Sequence, residues 1–198
     1  MENHIKNTSI QGRFALGLTC LRKKIRAEDI QWKKEMQTVL AKFSTFTSSD
    51  QLDIWETEIQ FYGTGILSFE NSQRVITAIG KENAKMNELS KMRGAHGAYY
   101  KDQSFTIEDP QIYTDLLAFY KTDTSGIKEV VDLCEAIGRG SLYGAVVNHS
   151  PETVKPVLEI IDRLGMHDAF DFKTIADTYP FKLEDGWGHS FNFNTFLK

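Results

Sequence analysis

Residues 127–164 read IKEVVDLCEAIGRGSLYGAVVNHSPETVKPVLEIIDRL, and the spacing and punctuation of this stretch decide the fold class. Ile127, Val130, Val131, Cys134 and Ile137 recur at the interval of one helical face, and Gly138-Arg139-Gly140 then supplies a stop. Ser150 followed by Pro151 reads as a cap with proline at the first helical position. Val154, Val157, Leu158, Ile161 and Leu164 form a second stripe, which Gly165 ends. Two amphipathic helices joined by the apolar connector from Ser141 to Val147 are therefore expected. Periodicity does not separate strand from helix over the six residues from Leu142 to Val147. Pro156 lacks a backbone amide, so it either kinks the second helix or marks its true first turn.

The same period extends outward through the chain. Asp109-Pro110 opens a helix with Ile112, Tyr113, Leu116, Leu117 and Tyr120 inward, closed by the polar run from Lys121 to Gly126. Ile10, Phe14, Leu18, Leu21 and Ile25 define a first helix ending near Arg26. Asp29 caps a second, with Trp32, Met36, Val39, Leu40 and Phe43 inward. Ser48 and Gln51 have the spacing of a capping box for a third, lined by Leu52, Trp55, Ile59 and Tyr62 and terminated at Gly63. A fourth is expected from Ser72 to Lys91, interrupted at Gly80.

The expected architecture is all-α, with about seven helices in one globular domain over 1–198, packed as a bundle or an irregular helical array. Residues 9–164 form the helical scaffold, and the aromatic-rich segment 165–198 packs on it. A small β-strand pair is expected from the alternating segments near Phe105 and Phe191.

The composition, 41% hydrophobic and 25% charged, is that of a globular protein rather than a disordered one. Met1-Glu2-Asn3-His4 opens without a signal-peptide pattern, and no apolar run reaches membrane-spanning length, so a cytoplasmic location with no membrane partner is expected. Cys20 and Cys134 fall within apolar helical patterns and read as buried thiols rather than a disulfide. Net charge is −4, but residues 1–100 carry +3 and residues 101–198 carry −7. An acidic second half argues against a nucleic-acid binder. Arg22, Lys23, Lys24 and Arg26 form a cationic cluster that complements a helix C-terminus as readily as it would bind phosphate.

Motifs for defined chemistry are sparse. Gly63-Thr64-Gly65 fits neither phosphate-loop pattern, and Ser141 lies outside the serine-hydrolase G-x-S-x-G pattern. Asp53, Glu56 and Glu58 make a carboxylate group, but no histidine has Glu three positions before it, so the helical-bundle metal pattern is incomplete. The irregular stretch Arg93 to Lys101 is the favoured ligand-binding loop. His96, Tyr99 and Tyr100 are its candidate side chains, with Trp187 and His167 nearby. His167-Asp168 resembles the His-Asp pair of HD-type metal-dependent phosphohydrolases. That resemblance implies an earlier His (His96 or His149) and a later Asp (Asp177 or Asp185) in a metal site. It is the alternative to an expectation of no metal and no cofactor.

The leading expectation for function is a non-enzymatic protein-binding domain, such as a cytosolic inhibitor or immunity-type protein that meets a basic partner through its acidic surface. The alternative is a small-molecule binder or metal-dependent hydrolase with a pocket near His96 and His167.

Overall fold

The fold is built around one helix that is buried on every side over its first twelve residues. A computed structural model describes residues 1–28, 33–69, 84–85, 104–105, 110–143 and 148–197. Helix α1 spans Glu2–Lys6, α2 Ile10–Ala27, α3 Lys33–Ser44 and α4 Leu52–Ile59. Helix α5 spans Pro110–Thr122, α6 Ile127–Tyr143, α7 Pro151–Leu164 and α8 Phe172–Thr178. The chain is mostly helical and all-α. Among the described residues, no helix is long and apolar enough to cross a membrane.

Ser9 caps α2, its Oγ accepting from the Gly12 amide, and the helix then buries Ile10 through Leu21 without a break. Helices α6 and α7 pack on each other and both pack on α2. Gly17 permits the close approach of all three: a Cβ there would meet Ile137 Cδ1 at 2.8 Å and Ile160 Cδ1 at 3.3 Å. Phe14, Phe46 and Trp55 interlock beside this centre, with ring centroids 4.3 to 5.5 Å apart, extending the apolar core to α3 and α4.

Several local expectations are corrected. Gly138 and Gly140 do not stop α6, which continues to Tyr143. A Cβ at Gly138 would strike the Trp55 ring, so this glycine makes room for an indole, and the packing offsets its helix cost of about 1 kcal/mol. Gly63 likewise marks a close approach, because a Cβ there would run into the Glu135 carboxylate. The Ser48–Gln51 capping box does not form. Gln51 occupies the cap position without a side-chain bond, and its amide donates to Ser49 Oγ instead.

Ser150 precedes α7 in the left-handed conformation (φ 45°), so its Oγ does not reach the amides that a cap in extended conformation would bind. Helix α7 runs through Pro156, which is buried inside it, and closes on left-handed Gly165. The Met166 amide donates to Ile161 O there, as in a Schellman stop.

The strand pairing is also different. Ser104–Phe105 pairs antiparallel with Ala84–Lys85, not with the segment near Phe191, whose amide donates to Thr47 O. Because Ala84 and Lys85 are extended, no unbroken helix spans 72–91. The rest of that expected helix, together with Asp29, Trp32, Asp109 and residues 144–147, lies outside the described residues. Helix α1, which periodicity missed, is a short turn braced by a Glu2–Lys6 ion pair.

The C-terminal segment fastens to the start of the chain. Ser9 N donates to Tyr179 O at 2.7 Å, Phe181 N to Asn7 O at 2.8 Å and Gln11 N to Trp187 O at 3.1 Å. Gly188, at φ 83°, passes so close to the Ser9 side chain that a Cβ would not fit. Tyr179, Phe191 and Phe196 stack with centroids 4.7 to 5.9 Å apart.

Candidate functional site

The most chemically loaded place among the described residues is the outer face of α6. Helical geometry sets Asp132, Glu135 and Arg139 along one side, three and four residues apart. The Gly63 turn, continuing into the 3-10 segment Thr64–Phe69, lies across them. Glu135 is 6% exposed, and its Oε1 accepts from the Thr64 amide at 2.7 Å. Thr64 Oγ1 bonds to Asp132 Oδ1, whose other oxygen is 3.2 Å from Lys128 Nζ. Arg139 does not pair with Glu135. Its Nε lies 3.3 Å from Glu56 Oε1, which also accepts from Gln60 Nε2.

Burial, with a smaller contribution from the neighbouring Asp132 charge, pushes the Glu135 carboxyl up to about 7. The amides of Thr64 and Gly65 and the Arg139 charge oppose the rise. A shallow depression of about 510 Å³ opens here, lined by Thr64, Gly65, Ser68, Asp132, Glu135 and Arg139. Chemically, the site offers a carboxyl that exchanges its proton near neutrality beside the Asp132 side chain and the Arg139 guanidinium.

A second constellation centres on Arg13, which is fully buried on α2. Its Nε donates to Ile5 O (3.0 Å) and its Nη2 to Lys6 O (2.7 Å). Nη1 donates to His149 O (2.8 Å), Ser150 O (3.2 Å) and Thr153 Oγ1 (2.7 Å). The Phe181 ring covers the guanidinium, with its centroid 4.8 Å away. Burial lowers the Arg13 pKa to about 10, leaving the group charged at neutral pH. These bonds clamp Asn148, His149 and Ser150, three consecutive left-handed residues, against α1. An adjacent depression of about 460 Å³ is lined by His4, Asn7, His149, Asp177 and Lys182.

No known protein family, curated protein or solved structure matches this chain.

His96, Tyr99 and Tyr100 lie outside the described residues. Trp187 is half-buried beside the N-terminus of α2, where its carbonyl accepts from Gln11. His167 is exposed near the other end of that helix, its Nε2 3.5 Å from Asp162 Oδ1, and Asp168 is exposed as well. His149 and His167 flank opposite ends of the 14-residue α7, about 20 Å apart along its axis, so they do not share an HD-type metal site. Among the described residues, no three His, Cys, Asp or Glu side chains are placed to hold a metal ion. The Asp53, Glu56 and Glu58 group does not converge: Glu56 faces Arg139, Glu58 pairs with Lys42 at 2.7 Å, and Asp53 is exposed.

Three of the four cations in the cluster, all but the exposed Arg26, have partners within the chain. Arg22 lies over Phe193 (4.7 Å), Lys23 over Phe170 (4.5 Å), and Lys24 pairs with Glu28. Sequence reasoning passed over both Glu135 and Arg13. Each left a signal, a charged residue at an inward helical position: Glu135 four after Val131, Arg13 three after Ile10.

Proposed function

We propose that this chain is a non-enzymatic protein-binding domain, a cytoplasmic inhibitor or immunity-type protein that meets a basic partner through the acidic surface of its C-terminal half. The observation that carries this reading is the contrast in how the two signs of charge are used. Arg13 is buried and Arg22 and Lys23 lie over aromatic rings, and on α7, α8 and the segments beyond them the exposed acids Glu152, Asp162, Asp168, Asp171, Asp177, Glu184 and Asp185 outnumber the exposed cations Lys155, Arg163, Lys173 and Lys182, of which Lys173 pairs with Asp177. The large hydrophobic side chains exposed among the described residues are Met1 and Leu197, so an apolar docking face has little support there and electrostatic complementarity is the stronger basis for recognition.

The test is co-purification of the chain's partner, first at low salt and again near 1 M, where screening shortens to about 3 Å. A triple variant, Asp162→Asn, Asp168→Asn and Asp171→Asn, accompanies it. Asparagine still caps α8 at position 171, so the fold is retained. The expected result is a basic partner lost at high salt and lost to the variant. A partner held equally by wild type and variant, or no partner at low salt, overturns the reading.

A further inference from the structure

Three polar side chains with no hydrogen bond or ion pair among the described residues meet at one depression. They are His4 on α1, Asn7 at its end and Lys182 beyond α8, and they line the cavity of about 460 Å³ beside His149. We propose that this cavity binds a small organic phosphate, with Lys182, His4 and Asn7 holding the phosphate. The site goes beyond the partner binding proposed above and does not depend on it.

The walls are tied in place by the protein itself. Lys6 O accepts from His149 Nδ1 at 2.9 Å and from Arg13 Nη2 at 2.7 Å, and Asn7 O accepts from the Phe181 amide at 2.8 Å. The His149 and Phe181 ring centroids are 4.9 Å apart, and the Arg13 guanidinium lies 4.8 Å from the Phe181 ring. Because a carbonyl only accepts, His149 Nδ1 carries the hydrogen and Nε2 is left for a ligand. Asn148, His149 and Ser150 hold left-handed backbone at φ 50°, 62° and 45°. That conformation is costly for residues with side chains, and strain of this kind clusters at ligand clamps and active sites.

The charges of the cavity select an anion. Asp177, the acid of its lining, is matched by Lys173 at 2.7 Å, and Glu2, on the same helix as His4, is matched by Lys6 at 2.6 Å. Lys182 has no such match. A metal ion is not the occupant, since among the described residues no three His, Cys, Asp or Glu side chains are placed to hold one. An ammonium supplies a point charge to a phosphate, while imidazole and amide groups supply directed hydrogen bonds to its oxygens. The volume lies within the range of small-molecule pockets, about 300–1,000 Å³, and Ala176, Pro180 and Phe181 give it an apolar wall. The ligand therefore carries an organic body as well as a phosphate.

The experiment is an NMR titration of the amides of the full chain with phenyl phosphate at low ionic strength, with inorganic phosphate and benzyl alcohol as separate arms. Phenyl phosphate is expected to give saturable shifts at Asn7, His149 and Lys182 with a Kd of about 1 mM or tighter, inorganic phosphate to bind about fivefold more weakly, and benzyl alcohol to give no shift. Lys182→Ala and His4→Ala break no side-chain bond among the described residues, and each is expected to weaken phenyl phosphate about fivefold. Lys155→Ala, which removes an exposed cation of α7 outside the lining, is expected to leave binding unchanged. In wild type alone, no saturation by about 20 mM, or shifts confined to other surfaces, overturns the site. An equal loss in Lys155→Ala overturns it as well, because the attraction is then diffuse. Inorganic phosphate binding as tightly as phenyl phosphate overturns the organic ligand, and benzyl alcohol binding as tightly overturns the anion.

Discussion

Replacing Arg13 by Met separates the two things that residue does, bonding and burying charge. Methionine keeps the length of the side chain but donates nothing. Ile5 O, Lys6 O and Ser150 O each retain a second donor, the Thr8 amide, His149 Nδ1 and Thr153 respectively, so each loses about 1 kcal/mol of hydrogen bonding. His149 O loses its donor outright, at about 1–3 kcal/mol. Against these losses stands relief from burying a guanidinium. The fall of the Arg13 pKa from 12.5 to about 10 puts that relief at about 3 kcal/mol. The net expectation for Arg13→Met is a loss of about 1–3 kcal/mol, a melting temperature lower by about 2–12 °C for a chain of this size. Urea unfolding followed by tryptophan fluorescence measures it, with the midpoint falling and the slope unchanged. A variant as stable as wild type, or more so, would show that the clamp contributes nothing beyond packing, and the reasoning would be wrong.

Two further outcomes are expected. Gly138→Ala places a methyl against Trp55 and 3.1 Å from Phe14 Cε2, so it should destabilise by about 1–3 kcal/mol despite alanine's better helix propensity; a gain in melting temperature would contradict the packing role. Glu135→Gln removes a carboxyl whose folded-state pKa is raised, and the ionisation penalty in wild type is absent below 4.5, grows through the window to about 7 and is complete above it. The variant's stability relative to wild type should therefore improve by about 3 kcal/mol between pH 4 and pH 8, and a flat difference across that range in paired urea titrations would refute the buried-acid assignment.

What was legible in the sequence was whatever local chemistry decides. The stripe from Ile10 to Ile25 gave a helix that ends one residue from its expected end, Pro110 opens α5, and Pro151 and Gly165 bracket α7. Those signals need only the period of a helix and the backbone limits of Pro and Gly. The misreadings share one cause. Gly138 looked like a stop because nothing nearby in sequence announces an indole from α4, and Ser150 looked like a side-chain cap because Arg13, 137 residues away, is what holds its backbone in place. The Glu135 site was hidden for the same reason: its donor, Thr64, is 71 residues earlier, and only their meeting makes the carboxyl unusual. The loop at His96, which composition favoured, lies outside the described residues, and the aromatic tail is given over to the core and to covering cations.

The clasp between the beginning and the end of the chain bears on how the protein folds. Helix α2 can form early from its own sequence, yet Ser9 and Gln11 at its head find their acceptors only at Tyr179 and Trp187. A contact between segments so distant must wait for most of the chain to collapse, and the entropy of closing that loop falls on the final step rather than the first. During synthesis on a ribosome, the helix that is buried from Ile10 through Leu21 therefore emerges long before the residues that seal its N-terminal end, and for that interval its surface is available to chaperones. Unfolding should begin where folding finishes, by release of the tail from the head of α2.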